Sequence, residues 1–303
     1  MSETAYRPKA VQFDLQGIIQ PLIYSSAYLS LAGAAMVWIS CVLQGIAFDP
    51  AAAAVMVLVT FSIYNLNRKT DESEDAINHA ERYAFTKKYG KVLFASAIAA
   101  YILALLLAVF QGLDSLLVAA IPLIGGVAYS IPFFPTRSGL IRLKEIPVMK
   151  SLIVAVAWAV PPALLPICHA GLHADLSTAI VGIFYFSLVF INTVVFDMRD
   201  VEGDAATGVR TIPVILGMRR TKIALTVLNV CLGAAFVYGG LAVMGLPATL
   251  LLIASVTYAQ WYILSFHRLS TAKILCEALA DGQFILLAGV LFIIVGLVPI
   301  GLT

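Results

Sequence analysis

Charged residues are scarce in this sequence: Asp, Glu, Lys and Arg make up 12% of the 303 residues, against roughly 25% in an average globular protein. The four cysteines, Cys41, Cys168, Cys231 and Cys276, lack the paired spacings of a disulfide framework or a zinc site. No phosphate-binding Gly-x-x-x-x-Gly-Lys-Ser/Thr loop and no Gly-x-Gly-x-x-Gly turn occurs. The polar N-terminal stretch does not look like a signal peptide. The absence of both motifs leaves nucleotide binding without support, and the cysteine spacing is uninformative.

Long apolar runs are abundant instead. Hydrophobic residues make up 61% of the chain, and a run of about 20 apolar residues is enough to span a bilayer. We count nine such segments, near residues 18–40, 50–67, 92–110, 115–134, 148–168, 176–197, 222–242, 246–266 and 281–302. The sequence therefore predicts an all-α polytopic membrane protein, in which residues 1–303 form one domain with a bundle of nine transmembrane helices.

The basic residues alternate along the chain in a way that predicts its orientation. The 19 Lys and Arg residues lie before the first apolar segment and in the connections after the second, fourth, sixth and eighth. Because basic connections stay on the inner side of a membrane, we expect these connections and the N-terminus to be cytoplasmic and the C-terminus to lie outside. A net charge of +2 in this pattern indicates contact with membrane lipids, with no sign of nucleic-acid binding.

Two of these basic connections also concentrate acids at helical spacing. The first ladder comprises Asn67, Asp71 and Asp75, and the second comprises Asp197, Asp200 and Asp204. Offsets of three and four stack side chains on one face of a helix. If each helix continues past the membrane boundary, it presents a row of carboxylates to the cytoplasmic mouth of the bundle. Gly203 or Gly208 is expected to interrupt the second helix.

Carboxylates packed this closely repel one another unless a cation offsets them. Neighbouring Lys and Arg side chains could do this, and so could Mg²⁺, which is typically held by one or two carboxylates together with substrate phosphates. Two ladders that face each other would clamp a diphosphate through shared Mg²⁺. Solvated helix ends are the simpler interpretation of one charged run, but two such runs, four helices apart, favour a site. Acids that reach membrane depth are usually functional.

The residues of the two ladders carry a resemblance to a known family. The second segment runs Asp197, Asp200, Glu202-Gly203-Asp204, then Gly208, Thr211 and Pro213-Val214, and the first continues after Asp75 as Ala76-Ile77-Asn78 and Arg82. This pattern resembles the paired Asp-rich motifs of the UbiA superfamily of intramembrane prenyltransferases. The stretch from Tyr129 to Lys150 is similar to that family's Tyr-Ser-x-Pro segment and the Leu-Lys before its fifth helix. Three departures are Arg68 in place of the usual second acid, His79-Ala80 in place of Arg-Pro, and Gln20 in place of an Arg before Pro21.

The resemblance implies Mg²⁺-dependent transfer of a prenyl chain from an allylic polyprenyl diphosphate to an aromatic or lipid-precursor acceptor, with release of pyrophosphate. Mn²⁺ is a possible substitute for Mg²⁺, and the resemblance implies no obligate protein partner. The implied catalytic residues and metal ligands are Asp71, Asp75, Asp197, Asp200 and Asp204. The implied substrate-binding residues are Asn67, Arg68, Asn78, Arg82, Tyr129, Lys144 and Lys150. Whether Arg68 binds phosphate or only extends to the surface stays open at this point.

Two other functions use the same acids. An intramembrane terpene cyclase would ionise the same diphosphate and let the chain attack itself. An ion-coupled transporter is less favoured because transporter sites lie near the bilayer midplane, whereas these acids lie at helix ends. The similar positions of the two ladders further suggest a weak internal repeat of four-helix units, residues 18–134 and 148–266, followed by the ninth helix.

Overall fold

Helices make up most of the computed structural model, which describes residues 15–78, 80–136, 139–269 and 279–297. The helices in chain order are α1 (Leu15–Tyr24), α2 (Ala27–Leu43), α3 (Pro50–Thr70), α4 (Glu72–Asn78), α5 (Ala80–Gln111), α6 (Leu113–Ser130), α7 (Met149–His169), α8 (Leu176–Arg199), α9 (Val201–Ala206), α10 (Ile212–Leu216), α11 (Met218–Val243), α12 (Leu246–Leu269) and α13 (Gln283–Leu297). The N- and C-terminal residues, on which part of the predicted orientation depends, lie outside the described residues. The all-α prediction is confirmed.

In the described part of the chain, eight of the nine predicted apolar segments correspond to one helix each, and the first corresponds to α1 and α2 together. Seven helices are long and apolar enough to cross a membrane, namely α3, α5, α6, α7, α8, α11 and α12, and α2 and α13 are shorter apolar helices. Large apolar side chains cover the outside of the bundle; Phe110 is 85% exposed and Tyr238 is 81% exposed. Apolar surface on this scale is stable only against lipid, so the protein is an integral membrane protein.

The boundaries depart from the sequence prediction at three places. The first apolar segment is two helices, α1 and α2, because the backbone turns at Ser26, which has a φ of 63°. Helix α5 begins at Ala80 rather than near residue 92, because its first three turns are polar and extend beyond the apolar run. The connection between α6 and α7 contains two short antiparallel strands, β1 (Phe134–Thr136) and β2 (Gly139–Ile141), in which Pro135 pairs with Leu140.

Local sequence signals explain where the membrane helices begin. Asp49 precedes α3 and accepts hydrogen bonds from the backbone N–H groups of Ala51 at 2.8 Å and Ala52 at 3.3 Å. Pro50 occupies the first helical position, where a missing N–H costs nothing. Asp175 caps α8 in the same way through the N–H of Thr178 at 3.0 Å. These caps fix the starts of the two helices that lead to the acid ladders.

The packing of the bundle brings the ends of α3 and α8 to the same side. Helix α3 packs mainly against α2 and α5, α7 packs against α8, and α11 packs against α12. The approach of α2 to α3 is close, since a Cβ on Gly33 would lie 2.8 Å from Thr60 Oγ1 and 3.0 Å from the Met56 carbonyl. Buried apolar side chains such as Ile39, Met56 and Leu165 fill the interior. Four membrane helices separate the end of α3 from the end of α8, so both ladders reach one end of the bundle.

Candidate active site

Both ladders cross a break in the helix at their middle residue. Helix α3 ends at Thr70, and Asp71 has φ −107° and ψ 19° before α4 begins. Helix α8 ends at Arg199, and Asp200 has φ −98° and ψ 12° before α9 begins. Neither membrane helix therefore continues unbroken through its ladder, although the i,i+4 backbone hydrogen bonds from Asp75 to Asp71 and from Asp204 to Asp200 persist. These bonds preserve the spacing, so the carboxylates still follow one another around a bend.

The break in the second ladder does not occur at a glycine. Gly203 lies inside α9 and does not interrupt it. Gly208 follows the end of α9 with a φ of +79°, a left-handed conformation that suits glycine after a helix. The expected interruption therefore comes in two steps, at Asp200 and again at Gly208, and only the second has a glycine as its cause.

The two ladders meet at one cavity. The short helices α4 and α9, which carry their outer ends, are in contact. The cavity measures about 270 Å³. Acids on its wall come from both ladders, namely Asp71, Asp75, Asp197 and Asp200, and a fifth, Asp281, lies just before α13. Its inner part is apolar, with Ala32, Met36, Val154, Val189 and Phe284 in the lining. The cavity thus joins an acidic mouth to an apolar interior.

A cation is bound to each acid of the first ladder. Lys144 Nζ lies 2.8 Å from Asp71 Oδ1, and the Lys144 side chain is fully buried. Arg82 NH2 donates to Asp75 Oδ1 at 2.6 Å, with side chains that are 19% and 12% exposed. Partly buried pairs of this kind are screened less by salt than surface pairs are. In this structure, Lys and Arg side chains therefore offset the repulsion between the carboxylates.

Lys150 connects two acids of the second ladder. Its Nζ lies 2.9 Å from Asp197 Oδ1 and 2.9 Å from Asp204 Oδ1, and Ser151 Oγ donates to Asp197 Oδ2 at 2.8 Å. Burial raises the pKa of the Asp204 carboxyl to about 6, and the ammonium of Lys150 acts against this rise.

Val148, just before α7, has a φ of 69°, which is strained for a β-branched residue. Such strain is typical of positions that a site holds in place.

The remaining acid, Asp200, is held by its neighbour. Arg199 donates to it through Nε at 2.8 Å and NH2 at 2.9 Å, and the same guanidinium lies 4.7 Å from the ring centre of Phe196. A second cation–aromatic pair joins Lys144 Nζ to Tyr129, 5.0 Å from its ring centre. Aromatic faces near developing positive charge are stabilising. Arg199 and Tyr129 both line the cavity.

The structure brings most of the predicted site residues together at the cavity. Most line the cavity: Asn67, Arg68, Asp71, Asp75, Arg82, Tyr129, Lys150, Asp197 and Asp200. Asp204 and Lys144 lie just behind this lining, 2% and 0% exposed, and reach it through the ion pairs with Lys150 and Asp71. Asn78 belongs to α4, but its side chain is not among those described.

The side chain of Arg68 contacts the backbone of α1. Its guanidinium donates to the backbone carbonyls of Tyr24 and, at 3.3 Å, Ile23. These carbonyls lie at the C-terminal end of α1, next to the turn at Ser26, where helix carbonyls lack intrahelical partners. Arg68 therefore ties α3 to the end of α1 and also borders the cavity. It does not simply extend to the surface.

Several residues in or beside the cavity are not singled out by the sequence patterns. Ser151 follows Lys150 at the start of an apolar run, where a hydroxyl beside a predicted site lysine is a usable signal. Arg199 stands out in the sequence only as one of the basic residues of its connection. Asn192 lines the cavity from within α8. A polar residue inside an apolar segment, one or two turns before a predicted ligand, is the signal that would find Asn192.

The donor set suits Mg²⁺ that arrives together with a phosphate ligand. Among the described residues, no three His, Cys, Asp or Glu side chains lie close enough to hold one metal ion by themselves. The carboxylates instead approach in smaller groups, such as Asp197 and Asp204 around one ammonium. Mg²⁺ commonly keeps several waters and binds through one or two carboxylates plus substrate phosphates. The oxygen donors here fit that mode better than a resident metal centre.

Comparisons with known proteins identify a family and a shared fold. The model of the UbiA prenyltransferase family matches residues 26–287. The structure of a UbiA homolog from Archaeoglobus fulgidus bound to GPP and Mg²⁺ superimposes with a TM-score of 0.65 at 17% identity, over 90% of this chain and 98% of that one. At that identity the likeness concerns the fold.

Two curated relatives match part of the chain. The digeranylgeranylglyceryl phosphate synthase of Methanoculleus marisnigri is 28% identical over 183 residues, 56% of this chain and 58% of the relative. The enzyme of the same name from Pyrococcus abyssi is 30% identical over 142 residues, 46% of this chain and 46% of the relative. The matched part thus spans about half the length of each relative.

Proposed function

The chain belongs to the UbiA prenyltransferase family, and from this premise we propose that it transfers a prenyl chain from an allylic diphosphate to an acceptor, with Mg²⁺ as cofactor and release of pyrophosphate. One observation carries the proposal: two carboxylate ladders, each paired with cations, face one cavity whose inner part is apolar. An amphiphile with a diphosphate head and an isoprenoid tail has the matching distribution of charge.

The acids of the two ladders would hold Mg²⁺ between themselves and the diphosphate. Bound there, Mg²⁺ supplies Lewis-acid stabilisation of the leaving oxygens. Asp71, Asp75, Asp197 and Asp200 line the cavity and would contact it first. Asp204 would contribute after Lys150 shifts away from it, because one ammonium now lies 2.9 Å from both Asp204 and Asp197.

The cations would then bind phosphate oxygens in place of carboxylates. Lys150 and Arg82 line the cavity, and their N–H groups donate to ladder carboxylates in this structure. Negative charge grows on the diphosphate as the C–O bond breaks, so donors already in position stabilise the transition state more than the substrate. The electron pair of that bond leaves with pyrophosphate. The acceptor attacks the allylic carbon and loses a proton.

The apolar interior would hold the tail and exclude water from the carbocation. Water would otherwise capture the cation and give a prenyl alcohol. Tyr64 stacks on Trp158 with 5.4 Å between ring centres, and both rings line the cavity below the acids. Their faces are suited to stabilise positive charge at the reacting carbon.

For the acceptor, we propose a glyceryl phosphate that already carries one prenyl ether chain. The support is the name of the two partial relatives, digeranylgeranylglyceryl phosphate synthase, which implies addition of a second chain to a glycerol hydroxyl. A lipid acceptor would reach the cavity from the bilayer. Its phosphate would find further cationic side chains at the mouth, including Arg68 and Arg199.

The test is an assay of the purified protein in lipid nanodiscs. Geranylgeranyl diphosphate and Mg²⁺ are supplied with the mono-ether glyceryl phosphate, with 4-hydroxybenzoate or with no acceptor. The proposal expects a di-ether product and stoichiometric pyrophosphate in the first arm only. A product formed with 4-hydroxybenzoate would show that the protein is a transferase with a different acceptor. A cyclic terpene without acceptor would identify a cyclase, and no consumption of diphosphate in any arm would overturn the proposed function.

We also propose that the end of the bundle with the acid ladders is cytoplasmic. The support is the distribution of charge: among the described residues, the Lys and Arg side chains of the connections after α3, α6 and α8 lie at the same end as Asp71 and Asp197. Short basic connections remain on the cytoplasmic side of a membrane. In this orientation the diphosphate would enter from the cytoplasm.

A further inference from the structure

A second concave site lies between α11 and α12, away from the acid ladders. This groove, which we name the α11–α12 groove, measures about 510 Å³. It shares no lining residue with the cavity described above. The proposed prenyl transfer does not use it.

The α11–α12 groove is basic at one end and apolar along the rest. Arg219 and Lys222 from the start of α11 and His267 from the end of α12 form the basic end. Ile223, Val227 and Leu264 continue the lining and are 56%, 56% and 62% exposed. No acidic side chain is among the residues that line the groove in the described chain. The surface is therefore complementary to a ligand with an anionic head and an apolar tail.

The spacing along α11 fits such a ligand. Positions 222, 223 and 227 lie three, four and eight residues after position 219, which places them on one face of the helix. The rise of 1.5 Å per residue puts Val227 about 12 Å further along the helix axis than Arg219. A ligand whose phosphate lies at the basic end would thus place its apolar tail beside α11. Lys222 Nζ donates to the Leu264 carbonyl at 3.3 Å, and an ammonium has three donors.

The position of the groove in the bundle would give it access to such a ligand in the membrane. The basic end of the groove is the N-terminal end of α11, which follows α9 and α10 and so lies at the same end of the bundle as Asp204. Lys and Arg beside a bilayer attract anionic lipids. Soluble phosphate would leave the apolar part of the groove uncovered, whereas a phospholipid would fill both parts.

We propose that the α11–α12 groove binds an anionic phospholipid of the surrounding bilayer, with its phosphate at Arg219 and Lys222 and one chain along Ile223 and Val227. This lipid is a resident ligand and is distinct from the substrates of the acidic cavity. The chain provides its own control, because Arg220 lies in the same helical turn and carries the same charge but does not line the groove.

The experiment is native mass spectrometry of the full-length protein, titrated with phosphatidylglycerol or phosphatidylcholine in detergent, together with thermal unfolding in nanodiscs of the same two lipids. The wild-type protein and Arg220→Gln should retain phosphatidylglycerol preferentially. Arg219→Gln and Lys222→Gln should each weaken its binding about fivefold, which is the ratio expected for one Lys or Arg near an anionic surface. Inorganic phosphate at the same concentration should not raise the unfolding temperature.

Three results would overturn the proposal. They are equal binding of both lipids by the wild type, an equal loss in Arg220→Gln and Arg219→Gln, and full stabilisation by inorganic phosphate alone. If one of the variants Arg219→Gln and Lys222→Gln does not fold, the other carries the test, because each keeps one cation at the groove. Since the lipid readout does not depend on enzymatic activity, it stands apart from the proposed function.

Discussion

The Nζ atom of Lys144 lies 2.8 Å from Oδ1 of Asp71, although the Lys144 side chain has no exposed surface. A buried ammonium is stable only with a partner of opposite charge, and Asp71 lines the cavity in front of it. The pair therefore has two consequences. It holds the first ladder in place without metal. It also places the ammonium of Lys144 where it would bind phosphate once Asp71 binds a metal ion.

Replacement of this lysine should impair the binding of diphosphate and the reaction rate. We expect Lys144→Met to lower kcat/KM for the prenyl diphosphate by at least about 100-fold, the scale of loss for one preorganised electrostatic group. Steady-state kinetics with the nanodisc-embedded protein measures this. Lys69→Met is the control, because Lys69 pairs with Glu72 on the surface, where the two side chains are 61% and 49% exposed. Equal losses in both variants would mean that Lys144 acts only through net charge.

The acids of the first ladder should differ sharply from their neighbours in sequence. We expect Asp71→Ala to reduce the rate by at least about 100-fold, because it removes an oxygen donor whose benefit grows as the leaving group gains charge. Glu72→Ala should cost little, since Glu72 is exposed and pairs with Lys69. Asp204→Ala should lose activity on the same scale as Asp71→Ala. The reaction rates of the variants are compared at matched thermal stability. If Glu72→Ala lowers the rate as much as Asp71→Ala does, the assignment of Asp71 to a catalytic ladder is contradicted.

Removal of divalent metal should abolish turnover and leave the fold intact. The carboxylates of both ladders already pair with side-chain cations in this structure, namely Arg82, Lys144, Lys150 and Arg199. Because these cations offset the negative charge, the apo protein needs no metal for its stability. We therefore expect EDTA to stop prenyl transfer, Mg²⁺ or Mn²⁺ to restore it, and the unfolding temperature in EDTA to stay near that of the untreated protein. Full turnover in metal-free buffer would contradict the proposal, and unfolding in EDTA would indicate a resident structural metal.

The sequence predicted the spacing of the acids better than the shape of the backbone that carries them. Offsets of three and four residues place side chains near one another whether the helix is straight or bent, so the ladders survive the breaks at Asp71 and Asp200. Neither break has a Gly or Pro beside it, and those residues are the main local signals of a helix end. Each break instead lies at an acid whose side chain pairs with a cation, Asp71 with Lys144 and Asp200 with Arg199, and the apolar pattern of the sequence does not report these pairs.

Other features needed the tertiary structure for a similar reason. The bond from Ser151 to Asp197 joins residues 46 positions apart, and no local pattern reports such a contact. The strands β1 and β2 are three residues long, too short for an alternating pattern to stand out. The weak internal repeat of residues 18–134 and 148–266 stays a prediction.

The orientation of the bundle leads to a topology experiment. A reporter fused before residue 2 should be protected from an external reagent in intact cells, while one fused after residue 303 should be accessible. The reason is the alternation of basic connections together with an odd number of membrane helices. Labelling of both ends from the same side would contradict the count of nine, and reversed labelling would contradict the proposed cytoplasmic position of the acids.

A polar cluster at the opposite end of the bundle should contribute stability without affecting catalysis. His169 Nδ1 lies 2.5 Å from Asp49 Oδ2, and its Nε2 lies 2.8 Å from Ser115 Oγ. The cluster joins the end of α7 to the starts of α3 and α6. The Ser115 side chain belongs to a residue with no exposed surface, which leaves no access for a substrate and argues against a hydrolytic triad.

We expect His169→Ala to lower the free energy of unfolding by about 1–3 kcal/mol, because a buried hydroxyl and a partly buried carboxylate lose their partner. The corresponding fall in unfolding temperature is about 2 °C or less per kcal/mol, because a chain of 303 residues is longer than those for which 2–4 °C is typical. His173→Ala is the matched control, since His173 is exposed on the following connection. Activity per folded molecule should be unchanged in both variants, as the cluster lies across the membrane from the acid ladders. A His169→Ala protein as stable as His173→Ala would show that the three helix ends are held by apolar packing alone.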